Sequence, residues 1–267
     1  VNPLEVGPKA CGGNPDKQHV KPVRQKWFGV ACCPPNVGRT LASLGQYIYA
    51  EDEYGVYINQ FISSTADTEV RESRLKIKMN STLLQDGKVQ IEVQSSGPGN
   101  LNIRIPWYSE KCECVQNGIS IEIQPEKGYQ RLSISPGDTY ISLDFHVSPR
   151  WMGANNGVRA DAGKAALMKG PLVYCLEEKE NGRYLSEIFI EENTSIEETA
   201  PAEELVGNVP TLSYKGIRVR NKGAAGENQL YGNVELEKEE VSLQAVPYCM
   251  WNNRGEGEML VWHKLRV

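Results

Sequence analysis

At residue 49 the hydrophobic rhythm of this chain changes. Just upstream, Val37, Leu41 and Leu44 fall at i, i+4 and i+7, one apolar stripe that predicts a helix over residues 34–46. Pro34 and Pro35 stand where a helix start tolerates proline, and Gly45 is placed to stop it. Downstream the period is two. The segments GVYINQFISS (55–64), RLKIKM (74–79), KVQIEVQS (88–95), LNIRIPW (101–107), GISIEIQ (118–124), QRLSIS (130–135) and TYISLDFHV (139–147) alternate or are β-branched. QDGK, SGPGN, PEKGY and SPGD separate them as turns. Short strands at this spacing predict an antiparallel β-sandwich. Residues 148–164 read as a connection, and AALMKGPLVYCLE (165–177) opens a second β region. The final stretch, 245–267, holds two apolar patches around NRGEGE and predicts a hairpin.

A length of 267 residues accommodates one large β domain or two smaller ones, and 25 glycines with 15 prolines supply the turns. A net charge of -5 with no basic face argues against a nucleic-acid partner. No apolar run approaches the roughly 18 residues that span a bilayer, which argues against a membrane one. The chain opens on VNPLEV with neither Met nor a signal peptide, and is read as a piece of a longer protein. Its seven cysteines are an odd number without regular spacing, so at least one thiol stays outside any internal disulfide.

Two of those cysteines, Cys32 and Cys33, are adjacent and lie directly before the two prolines. A thiol at a helix N-terminus faces the positive end of the peptide dipoles and free N–H groups, both of which favour thiolate. Thiolate attacks carbon and binds zinc. Arg24, Lys26 and Arg39 are near in sequence and add positive charge. A zinc site needs four ligands, or three and an open position, and the pair supplies two. Cys11, His19, Cys112 and Cys114 are the other candidates in the chain. The residues alone leave two readings open, a metal or nucleophile site and ordinary half-buried thiols.

Other constellations are poor. There is no GxGxxG, P-loop, HExxH or GxSxG, and none of His19, His146 and His263 has a Ser or Cys partner by spacing. Cys112-Glu-Cys114, Cys175 and Cys249 read as strand or core residues. Six glutamates within 190–205 read as a solvated loop, since they lack the glycine-organised ligand spacing of a calcium site. Asn80-Ser81-Thr82 and Asn193-Thr194-Ser195 are glycosylation sequons, which often arise by chance. Trp27, Trp107, Trp151, Trp251 and Trp262 could stack on sugars, although packing is the commoner fate of tryptophan.

KWFGVACCPPNVGRTLASLGQYIY (26–49) resembles the segment that carries the catalytic cysteine in glycoside hydrolase family 127, the β-L-arabinofuranosidases. VNPLE, LNIRIPWY, GYQRLSISPGDTYISLDF, MKGPLVYCLE and VPYCMWNNRGEGEMLVW recur there in the same order. The resemblance implies the C-terminal portion of a bacterial enzyme built from an (α/α)6 barrel followed by two β-sandwich domains. Residues 1–48 would be the end of the barrel, 49–153 with 246–267 the first sandwich, and 154–245 the second. It implies retaining hydrolysis of L-arabinofuranosides in plant cell-wall glycans, with Cys32 as nucleophile and zinc ligand and Cys33 as a second ligand. The remaining zinc ligands, a Glu and a third Cys, and the acid/base glutamate would lie upstream of Val1. The piece alone is therefore expected to be inactive, and a homodimer is a further expectation. Val30 departs from the family, which often carries another cysteine there.

Overall fold

The computed structural model describes residues 23–26, 31–201, 207–224 and 230–266. The fold is mainly β. It divides into two compact units, residues 27–148 and residues 149–267, the second including residues 23–26.

The 27–148 unit begins with two short helices, α1 (Cys33–Ala42) and α2 (Gly45–Ile48). Ten strands follow: β1 (Tyr49–Asp52), β2 (Gly55–Ile58), β3 (Ser64–Val70), β4 (Ser73–Ser81), β5 (Lys88–Ser95), β6 (Gly99–Arg104), β7 (Glu113–Gln116), β8 (Ile119–Ile121), β9 (Tyr129–Ile134) and β10 (Gly137–Asp144). They form a four-stranded sheet in the order β1-β2-β6-β9 and a six-stranded sheet in the order β3-β4-β5-β10-β7-β8. Alternation places one face of each sheet inward. Val56, Ile58, Leu101, Ile103, Leu132 and Ile134 of the smaller sheet share one core with Leu75, Ile77, Met79, Ile91, Val93 and Leu143 of the larger. Three of these strands escape the alternation pattern. β1 and β3 are polar edge strands, and β7 carries the half-buried sequence ECVQ.

The helix prediction over 34–46 is corrected in two ways. The helix breaks at Ser43 and Leu44, and Gly45 starts the next turn instead of ending the first. Val37 and Leu41 are 60 % and 66 % exposed, so only Leu44 of the stripe reaches the core.

The other unit contains β11 (Pro149–Gly153), β12 (Lys164–Lys169), β13 (Leu172–Glu177), β14 (Ile188–Glu191), β15 (Ile196–Thr199), β16 (Thr211–Asn221), β17 (Leu236–Pro247), β18 (Met259–Leu260) and β19 (Trp262–Arg266). Here the expectation of a second sandwich is overturned. β12 pairs with β19, β19 with β14, β14 with β16, β16 with β17, β17 with β13, and β13 with β12 again. Six strands thus pair in a closed circuit, and closure removes the exposed edges that an open sheet leaves. Leu167, Tyr174, Leu176, Ile188, Leu212, Leu243 and Ala245 fill its core. The expected return of residues 246–267 to the first sandwich is also overturned, because β19 is a stave of this circuit. Nor do the two terminal apolar patches form a hairpin with each other. β17 and β18 both pair with β13 instead.

Candidate functional site

Cys32 caps the start of α1, and Cys33 is its first residue. The first N–H groups of a helix have no partner within it. Pro34 and Pro35 remove two of those donors, and the next amide, Asn36 N–H, already donates to the Cys32 carbonyl at 3.2 Å. The helix start therefore offers the sulfurs its dipole but fewer free N–H groups than a helix N-terminus without these prolines. Asn36 Nδ2 also donates to the Cys32 carbonyl, at 2.9 Å, and Arg39 donates to Asn36 Oδ1 at 2.9 Å. Backbone and side chain of one asparagine thus fix the Cys32 peptide, and Arg39 braces that asparagine instead of touching a sulfur. No motif in the sequence singles out Asn36. The available signal was its place four residues after Cys32, where a helical residue reaches back to that carbonyl.

The two sulfurs are exposed and stand 3.5 Å apart. Hydrogen bonding to Cys32 and repulsion from its charge raise the Cys33 thiol above its ordinary value. Two thiolates this close resist ionising together unless a cation sits between them. Two sulfurs on one tetrahedral zinc, at about 2.3 Å each, stand about 3.8 Å apart. A shift of a few tenths of an ångström would therefore let both reach one ion. The pair fits half of a zinc shell, since no group of three metal-ligating side chains exists among the described residues. Cys11, His19, Val30 and Trp27 lie outside the described residues.

The remaining candidates are placed elsewhere. Cys114 is in the core and Cys112 packs against it; burial pushes their thiols up to about 11 and about 12. Such thiols are inert at neutral pH. Cys175 is fully buried, and Cys249 is exposed. His146 faces Glu113 at 3.3 Å. Arg24 is tied to the carbonyls of Asn252 and Trp251 by its N–H and its Nε. In the glutamate-rich stretch, Glu198 pairs with Lys169 and Glu191 with Arg266, both at 3.3 Å. Trp251 is buried and Trp151 packs edge-on against Tyr214 and His263, whereas Trp107 is 65 % exposed.

Comparison with known proteins assigns both units. Residues 149–264 match the glycoside hydrolase family 127 C-terminal domain, and residues 55–145 match the β-L-arabinofuranosidase GH127 middle domain. A non-reducing end β-L-arabinofuranosidase from Bifidobacterium longum subsp. longum is 34% identical over 99% of this chain and 41% of its own length. Among solved structures, a GH127 β-L-arabinofuranosidase from Geobacillus stearothermophilus T6 is 38% identical with a TM-score of 0.86, covering 100% of this chain and 42% of that one. A further GH127 β-arabinofuranosidase is 25% identical with a TM-score of 0.80, over 91% of this chain and 40% of its own. The chain thus spans about two fifths of the length of the relatives it matches.

Proposed function

From the premise that the chain belongs to glycoside hydrolase family 127, we propose that it is the C-terminal part of a retaining glycosidase acting on β-L-arabinofuranosides, with Cys32 as nucleophile. The observation that supports this reading is the pair of exposed sulfurs 3.5 Å apart at the mouth of α1. In the resembling family the outcome is retention, and a thiol nucleophile accounts for it. The Cys32 thiolate attacks the anomeric carbon, and the bond from that carbon to the leaving oxygen breaks. That oxygen takes a proton from an acid outside the described residues. Water then attacks the same carbon and displaces the sulfur, so two inversions restore the configuration.

Cys32 and Cys33 are the residues of this chain that would hold zinc, together with donors from outside the described residues. A bound zinc ion would keep both thiols deprotonated at neutral pH. Asn36 holds the Cys32 peptide so that the sulfur keeps its aim. α1 and α2 are read as the end of a helical barrel, the 27–148 unit as a β-sandwich, and the chain by itself as inactive. The glycan partner is an L-arabinofuranose-containing oligosaccharide or polysaccharide.

The test uses the longer protein that contains this chain. Cys32→Ser is expected to reduce turnover of an aryl β-L-arabinofuranoside by at least ~1,000-fold, the scale of losing a nucleophile. A mechanism-based arabinofuranose trap is expected to add its mass to the peptide containing Cys32. Full activity in Cys32→Ser, or labelling at another residue, would overturn the assignment.

A further inference from the structure

The outward face of the four-stranded sheet carries a cleft of about 630 Å³. Its floor is a row in register across three strands, Tyr57 on β2, Asn102 on β6 and Arg131 on β9. Tyr129 meets Tyr57 edge-on, with ring centroids 5.2 Å apart, and Tyr54, 52 % exposed, stands at the mouth. We propose that this cleft is a binding site for a neutral oligosaccharide.

Four observations carry the proposal. First, the volume lies within the roughly 300–1,000 Å³ of small-molecule sites. Second, the lining charges balance. Asp52 and Glu126 oppose Lys127 and Arg131, so the cleft selects neither an anion nor a cation. Third, the walls combine three phenol rings with amides and charged donors and acceptors, and a sugar presents C–H faces and hydroxyls to match. Fourth, part of the lining stays open to a ligand, although the Tyr57 and Tyr129 hydroxyls donate to Asp52 and Asn59 and the amides of Asn102 and Gln130 are engaged at both ends. Arg131 donates only its Nε, to Asn102 Oδ1 at 3.3 Å, and Asn102 is itself only 2 % exposed. The terminal nitrogens of Arg131 and the side chains of Gln124, Glu126 and Lys127 make no hydrogen bond within the described residues.

The rim is a two-residue turn closed by the paired Glu126 and Tyr129. Lys127 and Gly128 form the turn into β9 with φ of 49° and 87°. The left-handed region suits glycine or asparagine, and a lysine there costs about 1 kcal/mol. Lys127 is one of the residues that line the cleft. The proposal makes no use of the cysteine pair, so it stands or falls apart from the hydrolase reading.

The experiment titrates this 267-residue chain with arabinotriose and, separately, xylotriose, by calorimetry and by chemical-shift mapping. Saturable binding of at least one is expected, with shifts confined to the residues of the cleft. Tyr54→Ala and Arg131→Ala should each weaken binding at least ~10-fold with unchanged circular dichroism, while Cys32→Ser should leave it intact. Three results would overturn the site: no binding of either sugar, binding that both cleft variants retain, or binding that Cys32→Ser abolishes.

Discussion

His263 is fully buried, and its ring is wired at both ends. Nδ1–H donates to the Val261 carbonyl at 3.0 Å, which leaves Nε2 to accept the Tyr214 hydroxyl at 2.6 Å. Burial holds the imidazole neutral and lowers its pKa from 6.5 to about 4, against the smaller opposing pull of backbone hydrogen bonds. The unfolded chain takes up a proton near pH 6.5 that the folded chain refuses, so stability is complete above that pH and is lost as pH falls toward 4. The full effect is about 3 kcal/mol. Thermal melts from pH 7 downward are expected to show a falling midpoint across this window, with a shallower fall in His263→Gln. An unchanged slope in that variant would contradict the account. The cysteine pair raises the opposite electrostatic problem at a solvated position, where one sulfur penalises the charge of the other. The adjacency of Cys32 and Cys33 was plain in the sequence. Their separation was not, because two neighbouring side chains diverge on a strand and converge only in the particular backbone that the Cys32 cap adopts.

β13 is buried on both sides, and that explains the loop that follows β17. Tyr174 and Leu176 point into the core of the closed circuit, while Cys175 belongs to a smaller cluster with Val246, Trp251 and Met259. Glu177 ends the strand on that second side, only 7 % exposed. Arg254, from the NRGEGE segment, donates to Glu177 and at 2.7 Å to Glu180, and Glu177 accepts the Asn252 amide at 3.0 Å. The segment read as a hairpin turn is thus a cap, closed over β13 by one buried cation. Removing it strands a carboxylate in the interior. Arg254→Ala is expected to cost about 3–5 kcal/mol in denaturant unfolding, with part of the loss recovered by adding Glu177→Gln. The strands of the 27–148 unit with strict alternation, β4, β5, β9 and β10, were legible because one face of each meets a core. Edge strands β1 and β3 were not, since they bring only Tyr49, Ala66 and Val70, partly buried, to the core among polar residues, too few for an apolar period.

Among the described residues, the core of one unit shares no member with the two clusters of the other. The 27–148 unit keeps the first, and the 149–267 unit has the other two. Calorimetry is expected to resolve two unfolding transitions, with acidification shifting the one that contains His263. A single transition that shifts as a whole would contradict this independence. The sequence could announce β content and turn spacing in both halves, but not the closed circuit. Closure depends on β12 choosing β13 and β19 as partners, and a parallel pair such as β14 with β19 leaves no turn signal to read.

That circuit also sets an order of events. Lys164 lies opposite Lys264, one hundred positions along the chain, so a nascent polypeptide emerging from the ribosome cannot seal it until β19 has been made. Bringing such distant segments together is entropically costly and slow. The residues of the 27–148 unit are all made before β12. Vectorial synthesis therefore leaves the apolar staves of β12 and β13 waiting, open to chaperones, for their last partner.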